Sequence, residues 1–191
     1  MRFSAVLLAG GKSSRMGRDK AAICIAGEPL WQRQVATLRA TGPAELFISG
    51  PPDGPFANSG IEILPDAECG IGPLAGITAA LRRIRTEWLL VLAVDVPAMT
   101  PEFLRTMIEA AAAGGQGIVP CASEPLPNQG LEPLVAVYPR AVLAIAEEQI
   151  HAGRLKAREF AQAAMDAGLV RTQPAEPALF ENWNTPGDVR G

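Results

Sequence analysis

Apolar residues fall into two recurring spacings along the chain, and the two spacings alternate. Residues 3–8, Phe-Ser-Ala-Val-Leu-Leu, form a short apolar run of the kind that fills a strand buried on both faces. Pro29 then opens a helix in which Trp31, Val35 and Leu38 share one face, and Gly42-Pro43 stops it. Residues 46–48 and 61–64 read as short strands. Leu74, Ile77, Leu81 and Ile84 follow one face of a second helix, closed by Arg82, Arg83 and Arg85 where positive charge suits the macrodipole. Residues 88–94 give the clearest central strand. Thr100-Pro101 caps a third helix carrying Phe103, Leu104, Met107 and Ile108, which Gly114-Gly115 ends. Ile118-Val119 and residues 134–137 predict two more strands joined by a Pro-rich loop. Helical stretches near 140–150 and 154–167 precede an Asn-rich tail.

Strands alternating with helices predict an α/β sheet covered by helices on both faces. With 191 residues and no repeat or linker, residues 1–191 are expected to form one domain. Open sheets of this type bind ligands beyond the carboxyl ends of their strands. Chemistry is therefore expected just after Leu8, Leu64, Val94 and Phe180, where polar residues gather.

Composition narrows the chemistry. Residues 88–94 are the longest apolar run, far below the roughly 20 residues that a membrane helix needs. The apolar residues 6–9 lead straight into a Gly-rich basic segment, unlike a signal peptide, so a cytoplasmic protein without membrane association is expected. The net charge of −3, without like-charge runs, argues against nucleic acid as a partner. Cys24, Cys69 and Cys121 form no C-x-x-C pair and are read as buried small apolar residues. The single histidine, His151, rules out a two-His relay, and its place near a helix end suits a solvated residue. With one histidine and no Ser-His or Cys-His pair in the sequence, nucleophilic catalysis of that kind is not expected.

Four segments carry candidate chemistry. The first is residues 8–20, Leu-Ala-Gly-Gly-Lys-Ser-Ser-Arg-Met-Gly-Arg-Asp-Lys, directly after the first strand. Gly10 and Gly11 allow a tight turn with N–H groups facing phosphate oxygens, and Arg15 and Lys20 supply charge for a triphosphate. Gly11-Lys12-Ser13 imitates the end of a P-loop, but the earlier glycine that motif requires is Val6. No G-x-G-x-x-G occurs, so a dinucleotide-binding dehydrogenase is disfavoured. The second segment centres on Asp95, a carboxylate directly after a buried strand and well placed for a hard cation such as Mg²⁺. A lone Asp in a strand-to-helix turn is also ordinary turn chemistry. The third is residues 66–76, where Gly72-Pro73 starts a helix whose free N–H groups suit a base or phosphate. The fourth is Asn182-Trp183-Asn184-Thr185-Pro186; Thr185-Pro186 suits a helix cap, and an extended course puts Asn182 and Asn184 on one face, where they suit a metal or phosphate.

Together these segments resemble the molybdenum cofactor guanylyltransferases (molybdopterin-guanine dinucleotide synthases). The likeness runs from Ser4 to Asp188 and includes Gly72-Pro73-Leu74-Ala75-Gly76-Ile77, Asp95-Val96-Pro97 and Glu132-Pro133-Leu134. It implies a three-layer α/β/α Rossmann-like fold with a mostly parallel sheet, of the nucleotide-diphospho-sugar-transferase type. It also implies GTP as donor, Mg²⁺ as metal and the molybdopterin phosphate as acceptor, with proteins that deliver or receive the cofactor as further partners. By matching motif, Leu8, Ala9, Gly10, Lys20, Asp66 and Asp95 are implied nucleotide contacts, with Asp95 also on the metal. Ser49 stands where relatives often carry Asn after the second strand, and Gly11 with Gly72-Pro73 favours guanine over cytosine. The expected chemistry is in-line attack on the α-phosphorus, with Arg15 and Lys20 offsetting charge on the departing pyrophosphate. The alternatives are a nucleotidyltransferase acting on a sugar 1-phosphate, cytidylyl transfer to the same cofactor, and a non-catalytic nucleotide-binding module.

Overall fold

A strand buried on both faces needs cover on both sides, and the helices divide to provide it. A computed structural model describes residues 1–10, 21, 23–25, 27–65, 72–126 and 129–181. In chain order these form β1 (Ser4–Leu8), β2 (Cys24–Ile25), β3 (Glu28–Pro29), α1 (Leu30–Ala40), β4 (Glu45–Ser49) and β5 (Glu62–Leu64). Then come α2 (Pro73–Arg83), β6 (Trp88–Ala93), α3 (Pro101–Gly114), β7 (Gly117–Leu126), β8 (Gln129–Leu131) and β9 (Val135–Pro139). Helices α4 (Leu143–His151) and α5 (Ala157–Asp166) and strand β10 (Val170–Ala175) complete the set.

The main sheet runs β10-β7-β9-β6-β1-β4-β5, with β8 paired to β7. Its pairings are parallel except those of β9 with β6 and β7 and of β8 with β7. Since β9 is reversed against both neighbours, β7 runs the same way as β6. The six parallel strands therefore end at one edge, while β9 begins there.

Side-chain alternation sorts the core into two layers. Ala5, Leu7, Leu90, Leu92, Val135 and Val137 face α1 and α3. Val6, Leu8, Leu89, Val91, Ala136 and Tyr138 face α2, α4 and α5. This is the three-layer α/β/α arrangement with a mostly parallel sheet. No helix among the described residues is long and apolar enough to cross a membrane.

Helix ends follow the sequence signals closely. Thr100 caps α3 by accepting a hydrogen bond from the Phe103 N–H at 3.2 Å, and Gly115 ends it in the left-handed region at φ 66°. Three expectations are corrected. The segment read as a Pro-rich loop continues β7 to Leu126 and adds β8, because its residues pair along the sheet. Strand β10 was not foreseen; as an edge strand it leaves Arg171, Thr172 and Pro174 exposed and so lacks an apolar run. Cys24 is exposed in the small β2–β3 hairpin rather than buried, and Cys121 is only partly covered; Cys69 lies outside the described residues. His151 is exposed at the end of α4, as expected.

Candidate active site

The parallel register sets Leu8 level with Ser49 of β4 on one side and Ala93 of β6 on the other. Backbone bonds continue past the last rungs and hold the exits in step. The Ala9 N–H donates to the Ser49 carbonyl at 2.8 Å, the Val94 N–H to the Leu8 carbonyl at 3.0 Å, and the Gly50 N–H to the Leu64 carbonyl at 3.1 Å. The Ala9 amide is engaged within the sheet, so amides that face a phosphate must come from Gly10 onward. Leu8 and Ala9 are themselves buried, while Gly10 is partly exposed.

Two glycines bring neighbouring elements against these exits. A Cβ on Gly76, in the first half of α2, would overlap Ser49 Oγ and stand 3.0 Å from Leu8 Cδ2 and 3.0 Å from Ser49 Cβ. The helix therefore lies directly on the carboxyl ends of β1 and β4. A Cβ on Gly50 would meet the ring of the fully buried Phe56 at 2.7 Å and the Gly10 nitrogen at 3.2 Å. Gly72, which precedes α2, has φ 72° and ψ −160°, a conformation that favours glycine. Gly72 and Pro73 are both exposed, at the same edge of the sheet as Leu8. Ser49 is buried, and its hydroxyl is directed to α2.

Asp95 follows β6 and is partly exposed, between buried Val94 and Val96. Both valines sink into the layer under α1 and α3. Behind this turn the Gln34 side chain of α1 donates from Nε2 to the Val96 carbonyl at 2.6 Å.

The reversed strand brings in a second carboxylate that sequence reading had noted in a motif without giving it a role. Leu92 pairs with Val135, so residues just before β9 lie beside residues just after β6. Glu132 occupies that place. Its N–H donates to the Pro120 carbonyl at 3.0 Å, and its carbonyl accepts from the Val135 N–H at 3.1 Å. The buried Tyr138 hydroxyl donates to the next carbonyl, that of Pro133, at 2.9 Å. Burial pushes the Glu132 carboxyl above the usual carboxylate range; Arg158 opposes the shift and the negative charge of Asp95 adds to it. The sequence signal was the Glu-Pro turn itself, but only the antiparallel register brings it to Asp95.

Other expected site residues, Gly11, Arg15, Lys20, Asp66, Asn182 and Asn184, lie outside the described residues. The approach to the tail is described: Phe180 packs edge-on against Phe103 near the start of α3, with ring centroids 5.9 Å apart.

The described residues suit a hard cation. Among them no group of three His, Cys, Asp or Glu side chains gathers. The Asp95 carboxylate offers the hard oxygen that a cation such as Mg²⁺ takes.

Gly10 after β1, the start of α2 and the Asp95 carboxylate after β6 thus lie at one edge of a three-layer α/β/α sheet. Residues 5–168 match the family model described as "MobA-like NTP transferase domain", and the chain belongs to that family. A relative from Opitutus terrae named "Probable molybdenum cofactor guanylyltransferase" is 35% identical, with 97% of this chain and 92% of the relative aligned. The "Molybdenum cofactor guanylyltransferase" of Rhizobium meliloti is 33% identical, with 97% and 88% aligned. Among solved structures, molybdopterin-guanine dinucleotide biosynthesis protein A from Archaeoglobus fulgidus superimposes with a TM-score of 0.73 at 26% identity, covering 97% of this chain and 94% of that one.

Proposed function

We propose that this protein is a cytoplasmic, Mg²⁺-dependent enzyme that transfers GMP from GTP to the phosphate of molybdenum-molybdopterin and releases pyrophosphate. The observation that carries the reading is the meeting of Gly10, the Gly72-Pro73 helix start and Asp95 at one sheet edge. The family and the names of its guanylyltransferase relatives support it.

In the reaction, an acceptor phosphate oxygen bonds to the α-phosphorus of GTP. The bond from that phosphorus to the bridging oxygen breaks, and its electron pair leaves with pyrophosphate. The nucleophile is already anionic at neutral pH, so no base need remove a proton. Exposed His151 has no part in this scheme. The residues act by positioning and charge neutralisation.

The donor side takes Leu8 at the end of β1 with Ala9, Gly10 and Gly11 after it in sequence, Gly72 and Pro73 as helix start, Ser49 at the end of β4, and Asp66, which follows β5 in sequence. Arg15 and Lys20 would offset charge on the pyrophosphate, and Asn182 or Asn184 would position phosphate or metal. Asp95 would hold Mg²⁺, which lowers the charge barrier at the α-phosphate. The acceptor side is the turn carrying Glu132, with Arg158 as the nearby cation. Proteins that deliver the acceptor or receive the product would dock on this side.

Two measurements test the reading. Purified protein with Mg²⁺, GTP and molybdopterin should release pyrophosphate and form the guanine dinucleotide, identified by mass. In a thermal-shift panel, GTP should stabilise more than CTP, UTP or ATP; a ligand at 100 times its dissociation constant adds about 2.7 kcal/mol. Greater stabilisation by CTP would overturn the guanine assignment. Turnover with a sugar 1-phosphate but not with molybdopterin would overturn the acceptor.

A further inference from the structure

The apolar stripe of α1 contains one polar residue. Trp31, Val35 and Leu38 face the core, and Gln34 sits among them, fully buried. An amide in such a place is costly unless its groups are bonded. Gln34 meets only half of that demand. Its Nε2 donates to the Val96 carbonyl across 62 residues of sequence, and its Oε1 has no hydrogen-bond partner among the described residues. For packing alone, a leucine or methionine of similar volume would serve better. What the amide supplies is a fixed tie between α1 and the residue next to Asp95.

We infer that Gln34 is a positioning residue: it holds the Asp95-Val96-Pro97 turn from behind, so that the Asp95 carboxylate is fixed for its cation before the nucleotide arrives. The geometry suits that task. Val94 and Val96 are buried on either side of Asp95 and anchor the turn through apolar contact, which is non-directional. A 2.6 Å hydrogen bond to the Val96 carbonyl adds the directional restraint, setting the rotation of the Val96–Pro97 peptide plane within the turn. The tie also joins that turn to the helix that follows the β2–β3 hairpin. Gln34 touches neither substrate nor metal in this scheme and acts only through Asp95.

The inference rests on the proposed metal role of Asp95, so the test carries both variants. Mn²⁺ binding is measured by electron paramagnetic resonance, with and without GTP, on wild type, Gln34→Met, Gln34→Glu and Asp95→Ala; melting temperature and the split between kcat and KM for GTP are read alongside. Met removes the donor at nearly constant volume, and Glu keeps the shape while setting an oxygen against the Val96 carbonyl. Either variant, when folded, should bind Mn²⁺ at least tenfold more weakly in the GTP complex and lower kcat, with KM for GTP changed less than twofold. A folded Gln34 variant with wild-type Mn²⁺ affinity would overturn the positioning role while Asp95→Ala still lost the metal. Wild-type Mn²⁺ affinity in Asp95→Ala would instead overturn the metal assignment beneath it.

Discussion

Replacing Gly76 by alanine sets two well-calibrated effects against each other. In a helix interior, glycine to alanine stabilises by about 1 kcal/mol, because the backbone loses less freedom on folding. At this position the new methyl carbon would overlap Ser49 Oγ and lie 3.0 Å from both Ser49 Cβ and Leu8 Cδ2. Comfortable carbon–carbon contact is about 3.5–4.0 Å, so the overlap is roughly 0.5–1 Å. Ser49 and Leu8 belong to strands paired on both sides and cannot recede. The helix must move, and overpacking of this kind costs about 1–3 kcal/mol. The leucine tip can turn aside but Ser49 Cβ cannot, so we place the net loss at about 1–2 kcal/mol. At roughly 2–4 °C per kcal/mol for a chain of this size, the melting temperature should fall by about 2–8 °C. Urea and thermal unfolding of wild type, Gly76→Ala, Ser49→Gly and the double variant complete the measurement. Ser49→Gly alone should cost about 0.5–1 kcal/mol as a strand glycine. In the double variant most of the Gly76→Ala penalty should vanish, a coupling of about 1 kcal/mol or more. A Gly76→Ala protein that melts higher than wild type, or strictly additive single effects, would refute the contact on which the position of α2 depends.

Four further outcomes are expected. Asp95→Ala should lose about 3 kcal/mol of barrier lowering, on the order of a hundredfold in kcat, by analogy with removing one electrostatic donor; a folded variant that turns over normally in Mg²⁺ contradicts it. Tyr138→Phe leaves the Pro133 carbonyl without its donor and should cost about 1–3 kcal/mol in urea unfolding. Glu45 is desolvated, but hydrogen bonds from the Arg85 N–H and the Ser4 hydroxyl, with the charges of Arg85 and Arg83, outweigh that and hold its carboxyl below the usual range. Its contribution is thus present at neutral pH and lost as pH falls through and below the ordinary glutamate value. Glu45→Gln should cost about 1–2 kcal/mol at pH 7, discounted for solvent, and progressively less in acid melts. Glu132 has the opposite sign: its raised carboxyl makes stability fall as pH rises from the ordinary value to the raised one, so Glu132→Gln should melt higher than wild type at pH 7 and equal to it in acid.

Legibility in the sequence followed physical cause. Elements buried on one or both faces, such as β1, β6 and α3, carry their period or apolar run in local sequence and were readable to within a few residues. Asp95 and Gly72-Pro73 were readable for the same reason, since a strand exit and a helix start are local features. Strand β10, with Arg171 and Thr172 exposed, obeys no apolar pattern because an edge pairs through its backbone. The direction of β9 is a tertiary fact, and with it the nearness of Glu132 to Asp95. Gln34 was hidden for a third reason: a glutamine in a helix reads as surface until the partner carbonyl is seen.

The inverted strand divides the molecule's future as well as its present. Because β9 enters at the edge where β6 leaves, the turn at Glu132 is built from chain that has no part in the glycine turn, α2 or the Asp95 exit. On the proposed function, substitutions in that turn would act on the acceptor side and leave the residues of the nucleotide side unchanged. A lineage would then be able to exchange one phosphorylated recipient for another while keeping its nucleotide.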